Sequence, residues 1–179
     1  MKFDLQLFSV IQGKRIVYLY RRLKDATLVD AMAIAFTTEN STSKSRDSDT
    51  VSTKSGTIRV PQDTEVEIST TALFASENDE IVRKIESALD DGELMEIWEV
   101  NLDKKGTEAD AEKFFAKYYQ GYVSSFELSS NSEDHVEASL EFAINGKGVD
   151  GYATVTEEQQ ELADYIFKNT TKETEGTEG

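Results

Sequence analysis

Apolar and polar side chains alternate along two neighbouring stretches in the second half of the chain. From Phe114 to Leu128 large apolar residues fall mainly on even positions, and the alternation resumes from Val136 to Ile144 after a polar run rich in turn formers. Because successive side chains of a strand point to opposite faces, each stretch predicts a strand with one apolar face. The pattern predicts an antiparallel hairpin with one face on a core and an acidic face in water. The acidic face includes Glu127, Glu137 and Glu141.

Shorter alternating or β-branched runs predict further strands on both sides of this hairpin. We expect these strands over Arg15–Tyr20, Ala31–Thr38, Ile58–Ala72, Leu94–Leu102 and Val149–Val155. Within Ile58–Ala72, Val66 and Ile68 share one face, and Glu65 and Glu67 share the other. Leu94–Leu102 has apolar residues on both faces, which predicts burial on both sides.

Two segments have helical spacing and signals for a helix start. Ser76–Gly92 has an apolar stripe at Ile81, Ile85, Ala88 and Leu89. Ser76 with Asp79, and Thr156 with Gln159, have the spacing of capping boxes, and the second opens a helix to about Phe167. The elements together predict an α+β fold that is mainly β. We expect an antiparallel β-sandwich or barrel-like sheet with a flanking α-helix and a short C-terminal helix.

Residues 39–57 are the most polar stretch of the body. Composition alone predicts a flexible loop of nearly twenty residues, and a loop of that length in a compact domain is usually functional. We interpret it as the tip of an extended hairpin whose arms are the strands on either side. The chain is then a single domain over residues 1–167. Residues 168–179 contain no apolar side chain, and we expect a disordered tail there.

The net charge of the chain limits the classes of molecule that it can bind. Its 179 residues include 19 Lys and Arg against 35 Asp and Glu, a formal net charge of −16. Such a surface repels nucleic acid and anionic membranes, so we expect neither an ordinary nucleic-acid-binding module nor membrane insertion. The absence of cysteine excludes disulfides and thiolate metal sites. We also expect no signal peptide and no membrane span, because no apolar run approaches about 20 residues.

Few residues are candidates for catalysis or metal binding. The one histidine, His135, lies in the polar turn of the hairpin and has no second histidine as a partner, so we expect it in solvent. Asp47-Ser48-Asp49 resembles part of a calcium loop without its further ligands. The strand glutamates could include an acid–base pair of the glycosidase type, but regular alternation is typical of a solvated sheet face. The sequence therefore predicts a protein that is not an enzyme and uses no cofactor or metal.

Several segments, in order along the chain, resemble one known family. The segments are Ser45–Asp49, Thr53–Ile58, Glu65–Ser69, Glu96–Leu102, Lys117–Tyr122, Ser125–Leu128 and Glu133–Glu137. As a set they resemble the major tail proteins, or tail tube proteins, of long-tailed bacteriophages of Gram-positive hosts. The resemblance implies a subunit that assembles with itself into stacked hexameric rings, in the host cytoplasm, and ends in the virion tail. It also implies tape-measure and tail terminator or distal tail proteins as partners, with double-stranded DNA only as passing cargo.

The resemblance gives the acidic faces and the polar loop expected roles. Acidic faces that line the bore would repel DNA phosphates and keep the cargo from sticking. The expected lumen-lining residues are Glu127, Glu137, Glu141, Glu65 and Glu67. The loop would contact a neighbouring subunit or the next ring, with ion pairs made by Arg46, Asp47, Asp49 and Lys54. Closing sheets between neighbouring subunits would cover free strand edges.

Two other functions are compatible with these residues. A tube subunit of a phage-derived bacteriocin or secretion apparatus would share the architecture without the genome cargo. A β-sandwich carbohydrate-binding module would need a concave aromatic platform, for which Tyr118, Tyr119 and Tyr122 are the candidates. Because Tyr118 and Tyr122 share the apolar face, core packing is the favoured use of these rings.

Overall fold

The computed structural model describes residues 13–75, 79–130 and 135–163. In these ranges the chain forms eight β-strands, two α-helices and three short 3-10 turns. The strands are β1 Ile16–Arg22, β2 Met32–Ala33, β3 Thr37–Thr53, β4 Gly56–Leu73, β5 Leu94–Lys105, β6 Phe114–Ser129, β7 Glu137–Ile144 and β8 Val149–Ala153. The helices are α1 Asp79–Asp91 and α2 Glu157–Ala163.

All eight strands belong to one antiparallel sheet, in which seven follow the order β2-β1-β5-β6-β7-β4-β3 and β8 pairs with β6. β6 is long enough to serve several neighbours: β5 pairs along one edge, and β8 and β7 follow one another along the other. The predicted antiparallel, mainly β fold is confirmed. Among the described strands the sheet of one copy does not close into a barrel, so it has free edges.

The sheet is buried on both faces near β1 and β5. Tyr18 and Tyr20 of β1 join a large core with the apolar side of α1, whereas Val17 and Leu19 join a smaller core on the opposite face. β5 likewise contributes to both cores, which confirms the prediction of burial on both sides. Its Trp98 is half-buried against the smaller core.

A β-bulge in β6 exchanges the faces of that strand. Val123 pairs with Phe142, but Ser125 pairs with Glu141, so Ser124 is an extra residue in β6. Odd-numbered side chains face the large core before the bulge, and even-numbered ones face it afterwards.

The prediction of one continuous apolar face on even positions from Phe114 to Leu128 is therefore wrong. Phe114 packs in the smaller core, Phe126 packs against the large one, and Tyr122 and Leu128 are exposed. The physical reason is that the strand is covered on both faces over its first half and changes parity at the bulge. The alternation predicted for β7 is confirmed: Ala138, Leu140 and Phe142 are buried.

The helix signals correspond to observed helices. α1 ends in a Schellman motif at Gly92, which has a φ of 63°. There the Glu93 N–H donates to Ala88 O at 2.8 Å and the Gly92 N–H donates to Leu89 O at 3.3 Å. Its predicted cap, Ser76, lies outside the described residues.

The predicted capping box of α2 is confirmed. The Thr156 N–H donates to Gln159 Oε1 at 2.9 Å, and the Gln159 N–H donates to Thr156 Oγ1 at 3.3 Å. The predicted extension of this helix to Phe167 and the tail at residues 168–179 lie outside the described residues.

Residues 39–57 form most of a long hairpin rather than a flexible loop. β3 and β4 pair from Thr37–Ala72 to Thr53–Gly56, and only Lys54 and Ser55 form the turn. The interpretation as an extended hairpin is correct. The loop predicted from composition is wrong, because the β4 partner satisfies the backbone hydrogen bonds of a polar strand.

The strand expected over Ile58–Ala72 is confirmed as part of β4, whereas the strand expected over Ala31–Thr38 is not. The single proline, Pro61, lies at a register shift of the β3–β4 pair, where its missing N–H is tolerated. The expected strand Ala31–Thr38 is wrong: only Met32–Ala33 pairs with β1, and Phe36 has a φ of 56° that ends the extended run.

Candidate functional site

The strand glutamates lie together on one face of the sheet. Paired positions of β3, β4, β7 and β6 beyond its bulge share a face, since Ser41 pairs with Ser69, Ser69 with Glu141 and Glu141 with Ser125. The face opposite the large core therefore carries all five glutamates that the sequence singled out, namely Glu65, Glu67, Glu127, Glu137 and Glu141. Four of them are exposed and Glu137 is half-buried.

One acidic residue of this surface was missed from the sequence. Glu39 pairs with Thr71 and is exposed on the same face, where a polar segment gave no alternation to reveal it. We call the surface made by these six glutamates the acidic face. The residues between them are mainly serine and threonine, and in the described part of the chain none of the six takes part in an ion pair. The face is thus uniformly negative.

The four-stranded part of the sheet that carries the acidic face has two free edges. β3 pairs only with β4, so its other edge is unpaired along its described length. The second free edge belongs to β6. β5 pairs with one edge of β6 only up to Tyr122, and along residues 123–129 no described strand pairs with this edge. Free edges of this length are places where another chain can add a strand.

The distal part of the β3–β4 hairpin extends beyond the sheet. β4 pairs with β7 only from Val66 onward, so Gly56–Glu65 pairs with β3 alone. We call the hairpin from Arg46 to Thr64 the arm. Its nine β4 residues, 56–64, correspond to a length of about 30 Å.

The four charged candidates of the arm are all exposed. Arg46 donates to Thr64 Oγ1 from Nε at 3.2 Å and from Nη2 at 2.7 Å, and Asp49 Oδ1 accepts from Gln62 Nε2 at 3.0 Å. Asp47 lies on β3, and Lys54 lies in the turn. Among the ion pairs of the described residues, none involves these four side chains.

A hydrogen-bonded network holds the base of the hairpin against the other end of the sheet. Tyr18 Oη and Thr42 Oγ1 are 2.8 Å apart, Thr42 Oγ1 donates to Glu99 Oε2 at 3.1 Å, and Tyr119 Oη donates to the same oxygen at 3.2 Å. Burial is the main cause that raises the pKa of Tyr18 to about 12, with the Glu99 carboxylate adding to the shift. The network positions β3 and so sets the direction in which the arm leaves the sheet.

A second pair of hydrogen bonds repeats this arrangement two residues further along β1 and β3, at Tyr20 and Asn40. Tyr20 Oη lies 2.5 Å from Thr70 Oγ1, and Thr70 Oγ1 donates to Asn40 Oδ1 at 2.9 Å. Burial raises the pKa of Tyr20 and is the largest cause. Sequence reasoning missed both networks, because the residues are far apart in the chain.

The described residues place His135 and the three candidate tyrosines apart from any shared site. They contain no group of three or more His, Asp or Glu side chains placed to hold a metal ion, and His135 is exposed as predicted. Tyr119 is buried on the face opposite Tyr118 and Tyr122, so the three rings cannot form one platform for a carbohydrate. Neither of the two described helices has the length and apolar composition of a membrane span.

Comparison with known proteins identifies relatives of this chain. A family model described as "Phage tail tube protein" matches residues 10–150. A putative tail protein of Staphylococcus phage phiMR25 is 35% identical over 147 residues, covering 80% of this chain and 76% of that protein.

Solved structures share the fold. The tail tube of SPP1, determined by solid-state NMR and cryo-EM, superposes with a TM-score of 0.69 at 21% identity, covering 93% of this chain and 96% of that one. The tail of an empty gene transfer agent particle, refined with C6 symmetry, gives a TM-score of 0.57 at 17% identity, covering 81% and 100%.

Proposed function

The chain belongs to the phage tail tube protein family, and from that membership we propose that it assembles into stacked hexameric rings whose acidic faces line the bore. It is a structural protein of the phage virion and not an enzyme. The observation that carries the proposal is a uniformly negative sheet face bounded by two free edges. The two free edges are unpaired in one copy and would be paired in a ring.

The free edges support a specific contact within the ring. We infer that β3 of one copy pairs with residues 123–129 of β6 in the next copy. This head-to-tail contact uses two different edges, as a closed ring requires, and it covers both. Six copies with four strands each would give a wall of about 24 strands, well above the 16–18 strands at which barrels already leave an aqueous channel.

The charge of the acidic face supports passage of DNA as cargo. Phosphates bind proteins chiefly through Lys and Arg, which are absent from the described residues of this face. A wall of like charge repels the duplex and prevents it from adsorbing during ejection. The lumen-lining set in this proposal is Glu127, Glu137, Glu141, Glu65 and Glu67, with Glu39 added.

Other tail components complete the proposed assembly. A hollow tube of defined length needs a tape-measure protein in its bore and terminator or distal tail proteins at its ends. The acidic face would meet the tape-measure protein during assembly and the DNA during ejection. The arm, with Arg46, Asp47, Asp49 and Lys54, would contact the next ring.

Electron microscopy of the concentrated, purified protein tests the proposal. We expect rings and hollow tubes with six-fold symmetry in projection. A cryo-EM map of these tubes would place the acidic face directly. A map with these glutamates on the outer wall, or a protein that stays monomeric at every concentration, would overturn the proposal.

A further inference from the structure

The arm has an apolar stripe that the described residues of one copy leave exposed. Val51 and Ile58 are directly paired across the hairpin and Val60 pairs with Asp49, so these three β-branched side chains share one face. Their exposed fractions lie between 44% and 52%. We call them the arm stripe. An exposed apolar stripe on an otherwise polar ribbon marks a surface that is covered by another molecule.

Three exposed apolar side chains lie elsewhere, beside β2. Leu28 is 76% exposed, Phe36 is 57% exposed, and Val29 is also exposed. We call these three residues the end patch. Phe36 adopts a left-handed backbone conformation with φ of 56°, which is uncommon for a bulky residue. The Phe36 carbonyl oxygen accepts from the Leu73 N–H at 3.1 Å, so the backbone is held in this conformation while the ring stays exposed.

The loop that contains Leu28 and Val29 of the end patch is held in place by two arginines. Arg21 Nε donates to the buried Glu96 carboxylate at 2.8 Å, and Arg21 Nη1 donates to Val29 O at 3.2 Å. Arg22 Nε donates to Asp25 Oδ2 at 2.7 Å, and the Leu28 N–H donates to Asp25 O at 2.9 Å. A loop that is already ordered loses little conformational entropy when it binds.

The arm stripe and the end patch lie at opposite ends of the molecule. Tyr18 contacts Thr42 and Tyr20 contacts Asn40, so β1 and β3 run antiparallel past each other. The chain after the end of β1, and Phe36 just before β3, therefore lie at one end of these strands. The turn of the arm lies at the other end. Two different surfaces at opposite ends of a subunit are what a repeating axial contact requires.

We propose that the arm stripe of one copy docks on the end patch of a copy in the next ring. The partner is thus a second copy of this chain, and the inference rests on the proposed tube. Each copy has a net charge of −16, so copies repel one another unless they meet through uncharged surfaces. The two apolar surfaces provide that contact, and the charged residues of the arm surround it.

Disulfide crosslinking tests the contact, because the chain has no cysteine of its own. The variant Leu28→Cys with Ile58→Cys should form a ladder of covalent multimers when its tubes are oxidised. A matched control joins Ile58→Cys with Val149→Cys, which is exposed but belongs to neither surface. Tubes of the first variant without a ladder, or an equal ladder in the control, would overturn the inference.

A second variant keeps the test independent of disulfide geometry. Leu28→Ser should raise the protein concentration at which tubes appear by at least about tenfold and leave single rings. Burying the Leu28 side chain in the contact contributes enough binding free energy to account for this factor. Val149→Ser should leave this concentration unchanged. Normal tubes from Leu28→Ser would refute the axial contact alone. A wild-type protein that forms neither rings nor tubes would refute the proposed function instead.

Discussion

Tyr18 Oη and Thr42 Oγ1 lie 2.8 Å apart and join β1 to β3 across the gap in the sheet. The hydrogen bond brings β3, the last strand of the order, close to β1, the second strand, without closing a barrel within one copy. It continues through Thr42 to the Glu99 carboxylate. The base of the arm is therefore anchored to the body by side chains.

Thr42→Val should destabilise the fold by about 1–3 kcal/mol, because it removes two partly buried hydrogen bonds, one to the Tyr18 hydroxyl and one to the Glu99 carboxylate. Tyr18→Phe should cost less, about 0.5–1.5 kcal/mol, since Thr42 still donates to Glu99. Urea unfolding of the monomer measures both changes. Thr50→Val, on the exposed part of the arm, is the matched control and should be nearly neutral. Equal stability of Thr42→Val and Thr50→Val would contradict the anchoring role.

Stability should fall as the pH rises from about 10 to about 12. The pKa of Tyr18 is raised from its ordinary value near 10 to about 12, and burial also raises the pKa of Tyr20 and of Tyr119. Above pH 10 the unfolded chain loses phenolic protons that the folded chain keeps, so the equilibrium moves toward unfolding. Each such tyrosine contributes a slope of up to about 1.4 kcal/mol per pH unit.

Chemical denaturation at about pH 9 and about pH 11.5 checks this dependence. Tyr18→Phe should show a smaller loss between the two pH values than the wild type. A free energy of unfolding that stays constant over this interval would show that the phenols titrate freely in the folded protein.

Gly121→Ala should destabilise the fold by about 1–3 kcal/mol, as overpacking does. A Cβ at Gly121 would lie 2.4 Å from the Ala143 carbonyl oxygen and 2.9 Å from Ile144 Cα, and both are backbone atoms that hold the β6–β7 pair. Gly151→Ala on β8 is the matched control. A Cβ there meets nothing within 4 Å, so the change should be neutral or stabilise by up to about 1 kcal/mol. Thermal unfolding of the two variants gives the comparison, and indistinguishable midpoints would refute the predicted clash.

The acidic face was predictable because it follows from alternation alone. Buried residues occupy every second position of β4 around Ile68 and of β7 around Leu140. The glutamates at the intervening positions of each strand therefore share the other face. The capping box at Thr156 was equally local. Such features depend on neighbouring residues only, and a single sequence contains them.

The features that were mispredicted depend on partners distant in the chain. Ser124 is an extra residue in β6, and it moves the side chains that follow it to the other face. Nothing in the sequence Ser124-Ser125 distinguishes this bulge from a regular strand. The arm is a strand because β4 pairs with it, although its composition is that of a loop. The link from Tyr18 to Glu99 joins residues about eighty positions apart, and no local pattern marks it.

Replacing Glu127, Glu137 and Glu141 together by lysine should allow tubes to assemble but reduce infectivity of the phage by at least about tenfold. Lysines in the bore bind phosphate and slow the passage of DNA, and the effect should weaken at higher ionic strength because the contacts are electrostatic. The matched control replaces Asp90, Glu112 and Glu157, which are exposed outside the acidic face, and changes the net charge equally. Plaque counts and the rate of DNA ejection from purified particles are the measurements. Equal infectivity of the two triple variants would exclude a lumenal position for these glutamates.

Phe36→Gly should separate assembly from stability. A left-handed conformation costs about 1–2 kcal/mol for a residue with a Cβ, while a glycine adds about 0.4–1 kcal/mol of entropy to the unfolded chain. The Phe36→Gly monomer should therefore be as stable as the Phe36→Ala monomer or up to about 1.6 kcal/mol more stable. Both variants lack the exposed ring. Each should therefore need at least about tenfold more protein to form tubes, since burying a phenylalanine contributes about 1.5–3 kcal/mol.

Urea unfolding and the concentration at which tubes appear distinguish this role from one in folding. If the Phe36 ring served the core, Phe36→Gly would be strongly destabilised, and its tubes would fail only as far as the monomer does. If the ring serves the contact with the arm of the next ring, the two measurements move independently, because the exposed side chain adds little to the free energy of one copy. A monomer that keeps its stability but no longer forms stacks is thus the expected result, and normal stacking by both variants would remove Phe36 from the interface.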